Sequence, residues 1–200
     1  KVWPTDQGYE GTHRAFEASL ETTGLDTIDL YMLHWPVRSI LQETWTAMQE
    51  ILESGRARSI GVSNFMPDTL DELATFADVM PAINQIELNP FNRLSQMPLV
   101  EATRRHDITV VGYRPFANGA KFDHPVAAEI ASRHGKTVAQ VYLRWHVDHG
   151  TAAVPGWAPR RLMEENLDVF DFSLSEDELA ALDALDEDLK SAAIPPEAEF

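Results

Sequence analysis

The chain has 200 residues, 44% of them hydrophobic, which suits one domain with a substantial core. Its formal charge of −16 excludes a nucleic-acid binder, which needs clustered Lys and Arg, and reads instead as a solubilising acidic surface. With no cysteine and no run near the roughly 18 to 20 apolar residues of a membrane span, disulfide frameworks, thiolate chemistry and membrane insertion are excluded, and a cytoplasmic location is expected.

In chain order, Lys1-Val2-Trp3-Pro4 reads as an entry in mid-domain. Residues 8–22 predict a helix with Ala15, Phe16, Ser19 and Leu20 on one face. Residues 28–34 predict a buried strand that delivers His34 and Trp35 to its carboxyl end and is stopped by Pro36. A helix over 42–54 sets Trp45, Met48, Ile51 and Leu52 at helical spacing and stops at Gly55. Further strands are predicted at 58–63, 82–88, 108–113 and 151–155, and further helices at 68–78, 96–106 and 125–134. Thr137 with Gln140, and Ser175 with Glu178, are capping boxes that open a helix to His149 and another over 176–186.

Strand–helix alternation with short connections implies parallel strands and right-handed crossovers. No GxGxxG follows a strand, which lowers the reading as a doubly wound dinucleotide-binding sheet. Polar groups instead recur at strand ends, as His34, then Ser63 and Asn64, then Gln85, then Tyr113. That recurrence favours a barrel whose rim is the site. An imidazole at a strand's carboxyl end beside a large aromatic is the first candidate for chemistry.

Five segments carry a resemblance: Lys1-Val-Trp3, Asp29-Leu-Tyr-Met-Leu-His-Trp-Pro36, Ile60-Gly-Val-Ser-Asn-Phe65, Asn84-Gln-Ile-Glu-Leu-Asn-Pro90 and Glu165-Asn-Leu-Asp-Val-Phe-Asp171. In this order and spacing they resemble the aldo-keto reductases, in the flavour of the bacterial and protozoan 2,5-diketogluconate reductase group. The resemblance implies a (β/α)8 barrel, here one domain over 1–200 that begins at the end of the third strand. It also implies a cytoplasmic monomer that binds no metal and passes hydride from NADPH or NADH to a small aldehyde or ketone. By resemblance, Lys1 is the lysine that lowers a catalytic tyrosine's pKa. His34 orients the substrate carbonyl, and Trp35 and Trp3 wall its pocket. Ser63, Asn64 and Gln85 hold the nicotinamide carboxamide, whose donor and acceptor they can satisfy without added charge. Tyr113 stacks beneath the ring, and Glu165 and Asn166 meet the adenine end. Weighed beside these roles are a core histidine at 34, a helix cap before Pro67 at Ser63-Asn64, a satisfied interior Gln85 and a core Tyr113.

The sequence departs from the family pattern in three places. The family's tyrosine and aspartate lie upstream of the lysine, and neither Tyr9 nor Tyr31 matches the tyrosine's motif. The 200-residue form is therefore expected to show little carbonyl reductase activity. At the cofactor's phosphate end, Val154-Pro155-Gly156-Trp157 stands where Ile-Pro-Lys-Ser is usual, and Leu162 takes the expected arginine position. Arg161 can substitute after a one-residue shift, so a weaker preference for NADPH over NADH is expected. Finally, Arg114 follows Tyr113 where a serine is usual, and either contacts the pyrophosphate or points to solvent. The leading reading is a reductase. The alternative is a nonenzymatic nicotinamide-nucleotide-binding or regulatory protein on the same scaffold, and an unrelated phosphate-binding barrel ranks last.

Overall fold

The computed structural model describes residues 1–156 and 158–200. Two compact units are distinguished. The first comprises Lys1–Gln85, Pro98–Val110 and Ala193–Phe200, the second Ile86–Met97 and Val111–Ala192.

The first unit opens with a 3-10 turn at Pro4–Asp6, then α1 (Tyr9–Thr23), β1 (Tyr31–Met32), α2 (Leu41–Glu53), β2 (Ile60–Ser63) and α3 (Pro67–Leu73). Strand β3 (Ile83–Glu87), helix α4 (Arg93–Arg105) and strand β4 (Thr109–Tyr113) each contribute to both units. The second unit continues with α5 (Pro125–His134), α6 (Val138–Asp148), β5 (Ala152–Val154), α7 (Arg160–Leu167) and α8 (Glu176–Asp183). The strands lie in sheet order β1-β2-β3-β4-β5, without the reversal that marks a doubly wound sheet. Parallel register pairs Tyr31 with Ile60, Ser63 with Gln85 and Tyr113 with Val154. Ser63 and Tyr113 therefore close their strands, as expected, whereas Gln85 lies two residues inside the end of β3 and is brought level with Ser63 by the register.

Burial explains why these segments adopt these elements. In α2, Trp45, Ala47, Met48 and Ile51 are buried on one face while Glu50 and Glu53 turn outward. Val62 in β2, Ile86 in β3 and Val110 in β4 are buried like the hydrophobic strands of a sheet covered on both faces. Tyr31 is buried against Phe16, and the Tyr9 hydroxyl donates to Glu50, so both tyrosines are structural.

Both capping boxes form as predicted, with Thr137 and Ser175 each accepting from the backbone three residues on. Other boundaries differ for tertiary reasons. The strand over 28–34 is a continuous ladder only at Tyr31–Met32, flanked by isolated bridges from Ile28 to Ala57 and from Leu33 to Val2. A bend at Asp29 interrupts it, where Ser59 Oγ donates to the Asp29 carbonyl. Helix α3 stops at Leu73, not 78, because Gln49 takes the amides of Asp78 and Val79 while Trp45 Nε1 donates to the Val79 carbonyl. Helix α4 starts at Arg93, not 96, since Asp186 Oδ2 accepts the Leu94 amide and acts as a distant cap. Helix α7 was not among the predicted helices.

Candidate active site

Within the first unit, Val2 bridges Leu33, with its amide donating to Met32 O at 2.8 Å and its carbonyl accepting His34 N at 3.0 Å. This pairing sets Lys1 and Trp3 beside the end of β1. Lys1 Nζ donates to Gln85 Oε1 on β3. Ser63 Oγ and the Asn64 amide both donate to the Gln85 carbonyl, at 2.8 and 2.9 Å. Asn64 Nδ2 reaches the His34 carbonyl at 2.9 Å and Ser63 Oγ at 3.1 Å. Asn64 has φ +62°, a left-handed conformation that Asn tolerates better than most residues and that lets one side chain tie β1 to β2. Five predicted residues, Lys1, His34, Ser63, Asn64 and Gln85, thus form one hydrogen-bonded cluster at the strand ends. Ser63 and Asn64 are not a helix cap: α3 is entered from Met66, without a side-chain cap.

The electrostatics suit an uncharged imidazole. Burial first, then the Lys1 charge, lower the His34 pKa below the ordinary histidine range. Burial also lowers the Lys1 ammonium. Trp3 is 40% exposed and meets the His34 ring edge-on at 5.0 Å, as a pocket wall would. Trp35 is only 7% exposed: Phe200 covers its ring at 6.0 Å, and Gln7 Nε2 donates to its carbonyl.

In the second unit, Tyr113 ends β4. Burial raises its pKa, the Glu87 charge adds to that, and Arg114 opposes it. Arg114 does not simply point to solvent, because its Nη1 donates to Ser191 Oγ at 3.0 Å. On α7, Arg161 is 79% exposed and pairs with Glu165 at 3.4 Å, one turn on, a contact worth roughly 0.3–0.5 kcal/mol. The Glu165 carbonyl accepts from Gln140 Nε2. Asn166 lines an apolar cavity of about 650 Å³ with Met163, Leu167, Val169 and Phe170. Trp157 lies outside the described residues. The structure brings the residues of the first unit into one cluster; Tyr113 with Arg114, and Arg161 with Glu165 and Asn166, belong to separate groups in the second.

Sequence reasoning missed Glu87, Ser191, Gln7 and Phe200. Glu87 was findable, since the two-residue period puts it on the face of β3 that carries Gln85. Nothing in the sequence points to Ser191, which meets Glu87 across 104 positions.

The family model for the aldo/keto reductase family matches residues 1–187. The chain belongs to the aldo/keto reductase family. It is 42% identical over 200 residues to YtbE, an uncharacterized oxidoreductase of Bacillus subtilis (strain 168), covering all of this chain and 71% of that protein. It is 40% identical over 200 residues to the glyoxal reductase of the same organism, covering 72% of that protein. Among solved structures, apo Gox0644 superposes with a TM-score of 0.92 at 37% identity, covering 100% of this chain and 74% of that one. A variant of Gox0644 was solved in complex with NADPH and superposes at 0.89. The α/β class and the sequential parallel strands of this aldo-keto reductase agree with a part of the family's (β/α)8 barrel. At family level the activity is NAD(P)H-dependent reduction of carbonyl compounds.

Proposed function

We propose that this aldo-keto reductase chain binds NADPH or NADH and presents the carbonyl of a small aldehyde or ketone for reduction. The observation that carries the reading is the convergence of Lys1, His34, Ser63, Asn64 and Gln85 at adjacent strand ends. The donor set suits a nicotinamide carboxamide: a hydroxyl and two side-chain amides, all neutral, beside a histidine whose pKa lies below its usual range. When bound, the nicotinamide supplies the hydride. His34, neutral at physiological pH, offers a ring N–H to the substrate oxygen and so fixes which carbonyl carbon is exposed. Lys1 sets a positive potential beside that oxygen, which favours the anionic form of a neighbouring phenol. Trp3 supplies an apolar wall. Gln85 can turn its carboxamide from Lys1 to the nicotinamide, which ties proton chemistry and cofactor orientation to one side chain.

Arg114 and Arg161 are the cationic candidates for the cofactor's phosphates, Tyr113 for its ring, and Glu165 and Asn166 for its adenine. With Gly156 and Leu162 at the positions where a lysine and an arginine are usual, the preference for NADPH over NADH is smaller than in relatives that keep those cations. A monomeric, cytoplasmic enzyme remains part of this reading; no helix among the described residues is long and apolar enough to cross a membrane.

The second reading is nucleotide binding without chemistry on the same scaffold. A single experiment separates the two: NADPH and NADH binding by fluorescence, alongside loss of reduced-nicotinamide absorbance with a model aldehyde. Binding with turnover supports the reductase, binding without turnover the second reading, and a tight, salt-sensitive, NADPH-only isotherm refutes the relaxed cofactor preference.

A further inference from the structure

We propose that Ser191 is a spacer that holds Arg114 away from Glu87 and so keeps the guanidinium available to the phosphates of a nicotinamide dinucleotide. The inference rests on the reading of Arg114 as a cofactor contact.

The geometry is that of a filled hydroxyl hub within the second unit. The Glu87 side chain is only 7% exposed, a position a carboxylate occupies only when paired or hydrogen-bonded. It accepts the Ser191 amide at 3.0 Å, the Ala192 amide at 2.9 Å and the Ser191 hydroxyl at 2.6 Å. Two successive backbone N–H groups on one carboxylate form a small anion-binding concavity, here filled by the protein's own anion. The Ser191 oxygen in turn accepts Arg114 Nη1 at 3.0 Å and Asn118 Nδ2 at 3.2 Å. A serine hydroxyl has one hydrogen to donate and two lone pairs to accept with, and all three are engaged.

The distance between the two charges is the telling observation. Arg114 Nη1 stands 4.0 Å from Glu87 Oε1. An unobstructed arginine and carboxylate close to direct contact, often as a bidentate fork. Ser191 Oγ sits between them and converts a direct ion pair into a relay, guanidinium to hydroxyl to carboxylate. Among the described residues these contacts use Nη1 only, so Nε and Nη2 stay outside this network. The Arg114 backbone is held as well: φ is +54°, and its carbonyl accepts from Asn89 Nδ2 and from the Ala117 amide. Arg114 is aimed from both ends, and a third of its side chain remains exposed. Glu87 and Ser191 are therefore positioning residues with opposite effects. The carboxylate competes with an incoming phosphate for Arg114, and the hydroxyl limits that competition.

Titration of NADPH into the chain, followed by nucleotide fluorescence, tests this with thermal melting run in parallel. Ser191→Ala lets Arg114 close on Glu87, and the NADPH Kd should rise about tenfold. Glu87→Gln keeps the shape and removes the charge, and the Kd should fall about threefold. Both substitutions loosen residues 191–192 and lower the melting temperature, so a purely structural role moves both Kd values the same way. Arg114→Gln should weaken binding about tenfold and abolish the gain from Glu87→Gln in the double variant. If Arg114→Gln weakens binding while Ser191→Ala and Glu87→Gln shift it together or not at all, the spacer role is overturned and the reading of Arg114 stands. If Arg114→Gln leaves the Kd unchanged, that reading falls and the inference falls with it.

Discussion

His34 and His146 are both imidazoles whose pKa burial lowers, yet they sit in environments with opposite uses. His34, in the first unit, is half-buried at a strand end beside the Lys1 ammonium, a partly exposed Trp3 and the Ser63–Asn64–Gln85 cluster. His146, in the second, is fully buried on α6, edge-on to Trp145 at 4.9 Å, with its pKa pushed down to about 3. Its Nδ1 lies 2.9 Å from Thr151 Oγ1, whose own hydrogen goes to the His146 carbonyl at 3.0 Å. With that hydrogen spent, the threonine can only accept, so Nδ1 carries the ring proton. A charged ring would gain the Leu88 backbone as a partner, but burial outweighs that contact. A depressed histidine pKa therefore does not mark a site by itself. Solvent access and converging polar groups distinguish the imidazole that can meet a substrate from the one that packs a core.

The widest separation between the two regions should appear in catalysis. In the form of the protein that turns over aldehyde, His34→Ala is expected to lower kcat/KM by about 10²- to 10⁴-fold, and His146→Gln by no more than a few-fold. Comparable losses in the steady-state assay would break the distinction. Next in size is Gly112→Ala in β4. A Cβ at that position would meet His146 Cε1 at 2.4 Å, and a ring buried on all sides has no room to retreat. The expected cost is about 3 kcal/mol by urea unfolding; a neutral substitution would mean the His146 packing is looser than described.

Acid titration gives a smaller, graded difference. His146 resists protonation in the folded state, while the unfolded chain takes up that proton near the ordinary histidine value of 6.5. Its contribution to stability is thus complete above pH 6.5 and is lost as the pH falls toward about 3, by at most about 1.4 kcal/mol per pH unit. Denaturant titrations across that window should show a shallower slope for His146→Gln than for the parent chain; identical slopes would place the titration elsewhere. The smallest effect is expected from Thr151→Val, which leaves the His146 ring proton without an acceptor at an expected cost of about 1 kcal/mol.

How much of this was legible depended on the distance over which each feature is decided. The two capping boxes were readable because both partners lie three residues apart, and the strands β2, β3 and β4 because Ile and Val runs bury on both faces. Helix α7 was missed because it is only eight residues long, five of them charged or amide-bearing, so its few apolar positions (Leu162, Met163 and Leu167) make too short a pattern to stand out. The end of α3 and the start of α4 were misplaced because Gln49, Trp45 and Asp186 decide them from other elements.

By itself, the sequence determined the α/β class, the strands that carry polar groups to their carboxyl ends, and, through five ordered motifs, the family and the identity of the strand-end residues. These are local matters of hydrophobic period, turn chemistry and residue type. Tertiary structure alone decided that Lys1 donates to Gln85, that Phe200 covers Trp35, that His146 loses its basicity, and that Ser191 stands between Arg114 and Glu87. Each of these joins groups distant in the chain or depends on the loss of solvent around them, and neither circumstance is written in the order of neighbouring residues.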